Sequence, residues 1–201
     1  MDSEVLYYIG RYGYLAIFVM VFLQEAGFPN PVPNELVLLF SGYLVYSGIF
    51  DWYIVILVAL VADFTATDIL YFAFREFGNQ ILKRKPRWIP VSQSRIESFS
   101  RSLSEGGLTS IFICRLTPFI RGYTSVVSGL LQVKSAHFLP VALLSATIWA
   151  SVYILTGWLL GPWWKQIESN PHVVRNVMLL ILGITLFLFI LKFLLKKLSS
   201  K

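Results

Sequence analysis

The sequence predicts an all-α polytopic membrane protein in which two opposed re-entrant helical hairpins pack with about three full transmembrane spans. Hydrophobic residues make up 56% of the 201-residue chain and charged ones only 14%, against about 25% charged in a soluble domain. Apolar runs of spanning length cover 51–74, 135–160 and 173–195. Two other apolar stretches are each cut by a charged, proline-bearing break, from Glu25 to Glu35 and from Arg115 to Arg121. Irregular backbone at membrane depth needs protein or a water-filled cavity around it, so the two breaks are expected to meet and build one polar site.

Residues 12–47 form the first expected hairpin. Apolar sequence from Tyr12 to Leu23 and from Leu36 to Tyr46 flanks Pro29, Pro31 and Pro33. Each arm of about a dozen residues is roughly 18 Å long as helix, whereas a full crossing needs about 20 residues. The alternative is one kinked helix, against which stand three prolines at alternate positions, each without an amide hydrogen. Residues 51–74 make a span that carries Asp63 and Asp68. Residues 75–104 read as a basic linker broken by Pro86 and Pro90. Within it Ile96, Phe99 and Leu103 recur at helical spacing and predict an interfacial helix over 92–103. Residues 107–131 form the second hairpin, turning at Pro118, and 135–160 a span closed by Gly161 and Pro162. With 173–195 as the last span, the whole of 1–201 reads as one membrane domain.

The formal charge of +6 does not point to nucleic acid, because of where it lies. Lys83, Arg84, Lys85, Arg87, Arg95 and Arg101 share the linker, and Lys192, Lys196, Lys197 and Lys201 close the chain. Both clusters flank apolar segments, as cytoplasmic positive-inside signals do. With both clusters inside, the two hairpins enter from opposite faces, an arrangement resembling inverted-repeat transporters. Trp52, Trp88, Trp158, Trp163 and Trp164 sit near the ends of apolar runs, where interfacial anchors belong. The acidic start, Met1-Asp2-Ser3-Glu4, predicts no cleavable signal. Cys114 has no second cysteine to pair with, and His137 and His172 form no metal motif, so neither metal nor cofactor is expected.

The candidate site is built from charges. Arg115 and Arg121 are six apart, about 600° around a continuous helix, so a break at Pro118 is what folds both toward one cavity. Their planar donor forks suit a pair of phosphate oxygens, and exposed helix N-termini favour the same anion. Thr117 and Thr124, with Thr109, Ser125 and Ser128, add hydroxyl donors. The blander reading is that each arginine merely balances a glutamate across the hairpin contact, and both hold if a phosphate displaces a carboxylate. Glu25 and Glu35 are the proton-coupling or gating candidates. Glu35 is equally a first-turn residue stabilising a helix N-terminus capped by Asn34. Glu25 has no such local role. An aspartate within a span costs roughly 2.5–3.5 kcal/mol on insertion scales. Asp63 and Asp68 point about 140° apart on a helix. Asp68 is expected to face the interior and pair with arginine, and Asp63 to bond Thr65 or Thr67 or face the cavity. Both belong to a secondary polar site.

These residues resemble a known family. Glu25, Gly27 and Pro33-Asn34-Glu35 are similar to the N-terminal Glu…Gly…Pro-Gly-Glu/Asp pattern of the DedA family, also called the VTT or SNARE-associated Golgi domain family. Arg115-Leu116-Thr117-Pro118-Phe119-Ile120-Arg121 with Ser128-Gly129 resembles its Arg-x-x-Pro-x-x-Arg hallmark, and Asp68 to Tyr71 its Asp-x-x-x-Tyr-like stretch. The likeness covers about residues 10–162. Asn34 replaces the usual glycine, so the turn is expected to use asparagine's tolerance of left-handed geometry. Thr67 stands where a glycine commonly precedes the aspartate.

The resemblance implies a multi-pass protein of the bacterial cytoplasmic (inner) membrane that translocates lipid. It implies Glu25 and Glu35 as the essential acidic pair and Arg115 and Arg121 as the essential basic pair. The expected partner is a phosphate-bearing membrane lipid, undecaprenyl phosphate first, moved with possible proton coupling. The alternative is a broader phospholipid flippase or scramblase, acting for example on phosphatidylethanolamine. An enzyme such as a lipid phosphatase needs a nucleophile and a general acid or base in reach, and neither histidine lies beside a phosphate motif. A membrane scaffold would tolerate neutral residues at all four central charges. Oligomeric state is left open.

Overall fold

A computed structural model describes residues 3–28, 30, 32–84, 93–117 and 120–168. The chain divides into two compact units, Met1–Leu159 and Leu160–Lys201. In the first, six helices follow in order: α1 (Ser3–Glu25), α2 (Asn34–Tyr46), α3 (Trp52–Arg84), α4 (Gln93–Leu116), α5 (Arg121–Leu130) and α6 (Ser135–Leu159). In the second, the described residues include the short helix α7 (Gly161–Glu168), with Pro162 in its first turn, where a missing amide hydrogen costs nothing. The expected span 173–195 lies outside the described residues.

The described part of the first unit is all helical, and α3 and α6 are its long apolar members. Trp52–Gly78 and Ser135–Leu159 are each long and apolar enough to cross a membrane. The two segments expected as hairpins are helix–break–helix units, but their arms do not rest mainly on each other. α1 lies chiefly on α3, and α2 on α6. α2 and α6 meet at backbone distance because Gly42 faces the carbonyl of Ile154 while Gly157 faces that of Leu39. α5 lies against α3, where Gly129 admits the backbone of Tyr71 and Arg75. One apolar cluster joins α1, α2, α3 and α6 through Ile17, Val21, Leu38, Val55, Trp149 and Ile154. A second joins α3, α4, α5 and α6 through Tyr71, Phe99, Ile111, Val127 and Phe138.

Three boundaries differ from expectation. α1 has 23 residues rather than a dozen, since residues 3–11 contain no proline to stop the helix and extend it towards the N-terminus. α3 has 33 residues and runs to Arg84. Residues 75–84 therefore extend the span instead of opening a linker, since basic residues are good helix formers and the first proline beyond them is Pro86. The helix expected over 92–103 is present as the first part of α4, but Phe99 is buried in the second cluster with Leu103 against it. Its apolar stripe faces protein. The break between the halves of α4 falls at Gly107, whose φ of 56° is open to glycine.

The first break is held by side chains. Gly27, at φ 87°, turns the chain after α1. Asn30 donates to the carbonyl of Met20 at 3.3 Å and accepts from the amide of Val32 at 3.3 Å. Asn34 is neither a cap nor left-handed: it is the first residue of α2, fully buried, after Pro33 at φ −58° and ψ 141°. The capping acceptor comes from the other arm, where Gln24 Oε1 receives the Asn34 amide at 2.9 Å. The Asn34 side chain donates to the Val21 carbonyl at 3.4 Å. Burial explains the difference, since only an amide facing α1 fits where α2 starts.

Candidate functional site

Four charged side chains from four helices converge where the two breaks meet. Arg115 is in the last turn of α4 and Arg121 opens α5. The turn between them ends one helix and restarts the next, so residues six apart reach the same carboxylate. That carboxylate is Asp63, midway along α3. Its Oδ1 accepts from Arg115 Nη2 at 3.1 Å and its Oδ2 from Arg121 Nη2. Glu25, the last residue of α1, places Oε1 3.0 Å from Arg121 Nε. All four are buried, Arg115 completely. Two guanidiniums face two carboxylates, which is the neutral balance that buried charge requires.

Hydroxyls complete the shell around Arg115. Its Nε donates to Ser145 on α6 at 2.9 Å, Nη1 to Ser125 on α5 at 3.1 Å, and Nη2 also to Thr67 on α3 at 3.2 Å. Thr67 and Asp63 are four apart and share one helix face. Arg121 has an aromatic face for company: its Cζ lies 3.6 Å from the centre of the Trp149 ring on α6. Arg121 Nε and Nη1, Trp149 Nε1 and Glu25 Oε2 are buried without a hydrogen bond, as is Ser128 Oγ, and Nε meets Glu25 as an ion pair only. Arg115 is thus nearly saturated, whereas the Arg121 end keeps three N–H donors and one carboxylate acceptor without hydrogen bonds.

The residues expected at this site divide clearly. Glu25, Arg115, Arg121 and Asp63 are together, and Asp63, given a secondary place by sequence, is the group that joins both arginines. Among the described residues Asp68 makes no ion pair with an arginine: it is half-buried, and its Oδ1 is enclosed without a hydrogen-bond partner. Its five-residue offset from Asp63 turns it to another side of α3. Glu35 is half-buried in the first turn of α2 and makes none of the described ion pairs. Thr117 and Thr124 donate back to carbonyls of their own turn, Ile113 at 2.9 Å and Ile120 at 3.2 Å, and leave the arginines to Ser125, Ser145 and Thr67. Pro33 precedes α2, while Pro29, Pro31 and Pro118 lie outside the described residues. Ser145, Trp149 and Gln24 carry no signal in the sequence beyond being polar or aromatic within apolar helices. Among the described residues no group of three His, Cys, Asp or Glu side chains gathers as for a metal ion.

The family model described as the VTT domain matches residues 32–159. Undecaprenyl phosphate transporter A of Staphylococcus aureus is 24% identical over 201 residues, 98% of this chain and 98% of that protein. A protein named alkaline phosphatase-like, from Lactococcus lactis subsp. lactis, is 26% identical over 206 residues, covering 100% and 95% of the two chains. Undecaprenyl phosphate transporter A of Bacillus subtilis is 21% identical over 191 residues, 94% and 93% of the two. No solved structure matches.

Proposed function

Because the chain belongs to the VTT domain family, we propose that this multi-pass membrane protein moves a phosphate-bearing lipid from one leaflet to the other. Undecaprenyl phosphate, recycled for cell-envelope synthesis across the bacterial cytoplasmic membrane, is the lipid we favour. Two relatives at 24% and 21% identity bear that name over nearly their whole length. One observation carries the reading: Arg121, paired with Glu25 from the first break, keeps Nη1 without a partner beside an unpartnered Trp149 Nε1. Those two N–H groups are what a phosphate oxygen needs.

The working cycle follows from the charge balance. A lipid phosphate at Arg121 displaces the Glu25 carboxylate, and Arg115, held by Asp63 and three hydroxyls, keeps the frame. The released Glu25 takes up a proton rather than remain an unpaired buried charge. Glu25 is therefore the coupling residue in this scheme, and Glu35, half-buried in the first turn of α2, is the second acidic candidate for it. The described geometry gives transport precedence over hydrolysis, because the site offers cations and carboxylates that pair each other instead of an activated nucleophile.

The test is reconstitution of the full chain in liposomes with labelled undecaprenyl phosphate and with phosphatidylethanolamine, with and without a proton gradient. Wild-type protein is expected to move the first lipid, and Arg121→Ala and Glu25→Gln to lose that movement. Equal movement of both lipids would support the broader flippase instead. Unchanged transport by Arg115→Ala and Arg121→Ala, or phosphate release from undecaprenyl pyrophosphate, would defeat the proposal.

A further inference from the structure

A cavity of about 450 Å³ is lined by Ser98, Phe99, Ser102, Cys114, Ile120, Tyr123 and Thr124. Its walls are the two halves of α4, folded back on each other at Gly107, and the start of α5. None of the lining side chains carries a formal charge, and carbon dominates the wall. That is the pattern of a small-molecule site in which a few hydroxyls orient an apolar ligand. The cavity is tied to the arginines by the chain itself: Cys114 precedes Arg115, Ile120 precedes Arg121, and Thr124 is one turn beyond Arg121. Ile120 is 46% exposed and Ile113, one residue before Cys114, 58% exposed, so the rim is an apolar surface of the kind that faces lipid.

We propose that this cavity holds the hydrocarbon chain next to the headgroup of the transported lipid, through contacts with Phe99, Ile120 and Tyr123. An uncharged, carbon-walled space offers nothing to a free anion and excludes the phosphate itself, which stays with the arginines. Isoprenoid and saturated chains share the required chemistry. The proposal rests on the transport reading for its headgroup, but its test does not.

Cys114, the sole cysteine of the chain, reports directly on the space. Full-length protein, delipidated in detergent, is treated with N-ethylmaleimide in the presence of farnesol, hexadecanol or inorganic phosphate. Modification of Cys114 is expected to slow severalfold with an alcohol and to be unaffected by phosphate. Protection by farnesol alone assigns an isoprenoid chain, and protection by both assigns any long chain. Ser98→Trp and Ser102→Trp, at exposed positions on the first half of α4, narrow the cavity without touching the buried cluster. Losing contact with about two methylene groups raises the alcohol concentration needed for half-protection about tenfold. No protection by either alcohol, protection by inorganic phosphate, or a Cys114 that never reacts overturns the proposal. Wild-type protein that moves no lipid while farnesol still protects Cys114 overturns the transport reading alone.

Discussion

The guanidinium carbon of Arg121 lies 3.6 Å from the centre of the Trp149 ring, so a cation from the second break rests on an aromatic face supplied by α6. Glu25 and Asp63 take two edges of the same guanidinium. The Arg121 guanidinium is thereby fixed in plane and orientation by three helices. A desolvated cation–π contact of this kind is worth about 2 kcal/mol.

Replacing Trp149 separates that contact from simple packing. Trp149→Phe keeps an aromatic face and loses no hydrogen bond, because Nε1 has no partner. It is expected to fold as wild type, and transport to fall if Nε1 receives the phosphate. Trp149→Ala removes a buried ring and is expected to destabilise by about 3–5 kcal/mol. Thermal unfolding in detergent, read beside lipid movement in liposomes, distinguishes the two variants.

Asp63→Asn is the severest single change to the cluster. It removes the charge that joins both arginines and leaves two buried cations facing Glu25 alone. Breaking a buried pair in this way costs about 3–5 kcal/mol. Asp68→Asn, which breaks no described ion pair, is expected to change stability by less than about 1 kcal/mol. Similar unfolding temperatures for the two asparagine variants would contradict the assignment of Asp63 as the hub.

Gln24→Ala tests the link between the arms of the first break. It leaves the buried Asn34 amide without its acceptor at the start of α2. A lost cap contact costs about 1 kcal/mol. Gln24→Glu retains an acceptor and should recover most of that loss in the same unfolding measurement.

Gly42→Val and Gly157→Val are expected to prevent formation of a monodisperse protein. Even the first carbon of a side chain at either position meets backbone of the opposing helix, which no rotamer change can move. Overpacking in a core costs about 1–3 kcal/mol where side chains yield, and here none can. Gly10→Ala, with open space around it, serves as the control in size-exclusion profiles.

Much of the architecture was legible in the chain because hydrocarbon leaves few choices. Long apolar runs must be helices, so the spans read over 51–74 and 135–160 correspond to the apolar helices at 52–78 and 135–159, and prolines placed both breaks within a few residues. Arg115, Arg121 and Glu25 were legible for the same reason, since a charge in such a segment has to be paired. Helix ends were less so. Arg84 and Ser3 lie where polar and aromatic residues continue a helix as readily as they leave one, and only the backbone's own hydrogen bonds settle the matter.

The sequence by itself determined the all-α class with its long apolar helices, the two breaks and the need for opposite charges to meet, because transfer energies depend on composition and spacing alone. Tertiary structure decided which charges meet. That Asp63 bridges both arginines while Asp68 turns aside, that Ser145 and Trp149 complete the shell from α6, and that Gln24 caps α2 all depend on the packing of α3 and α6 against the broken helices. Such contacts join residues from 10 to 58 positions apart, and their partners are chosen by helix rotation and close approach, quantities that no local pattern in one chain encodes.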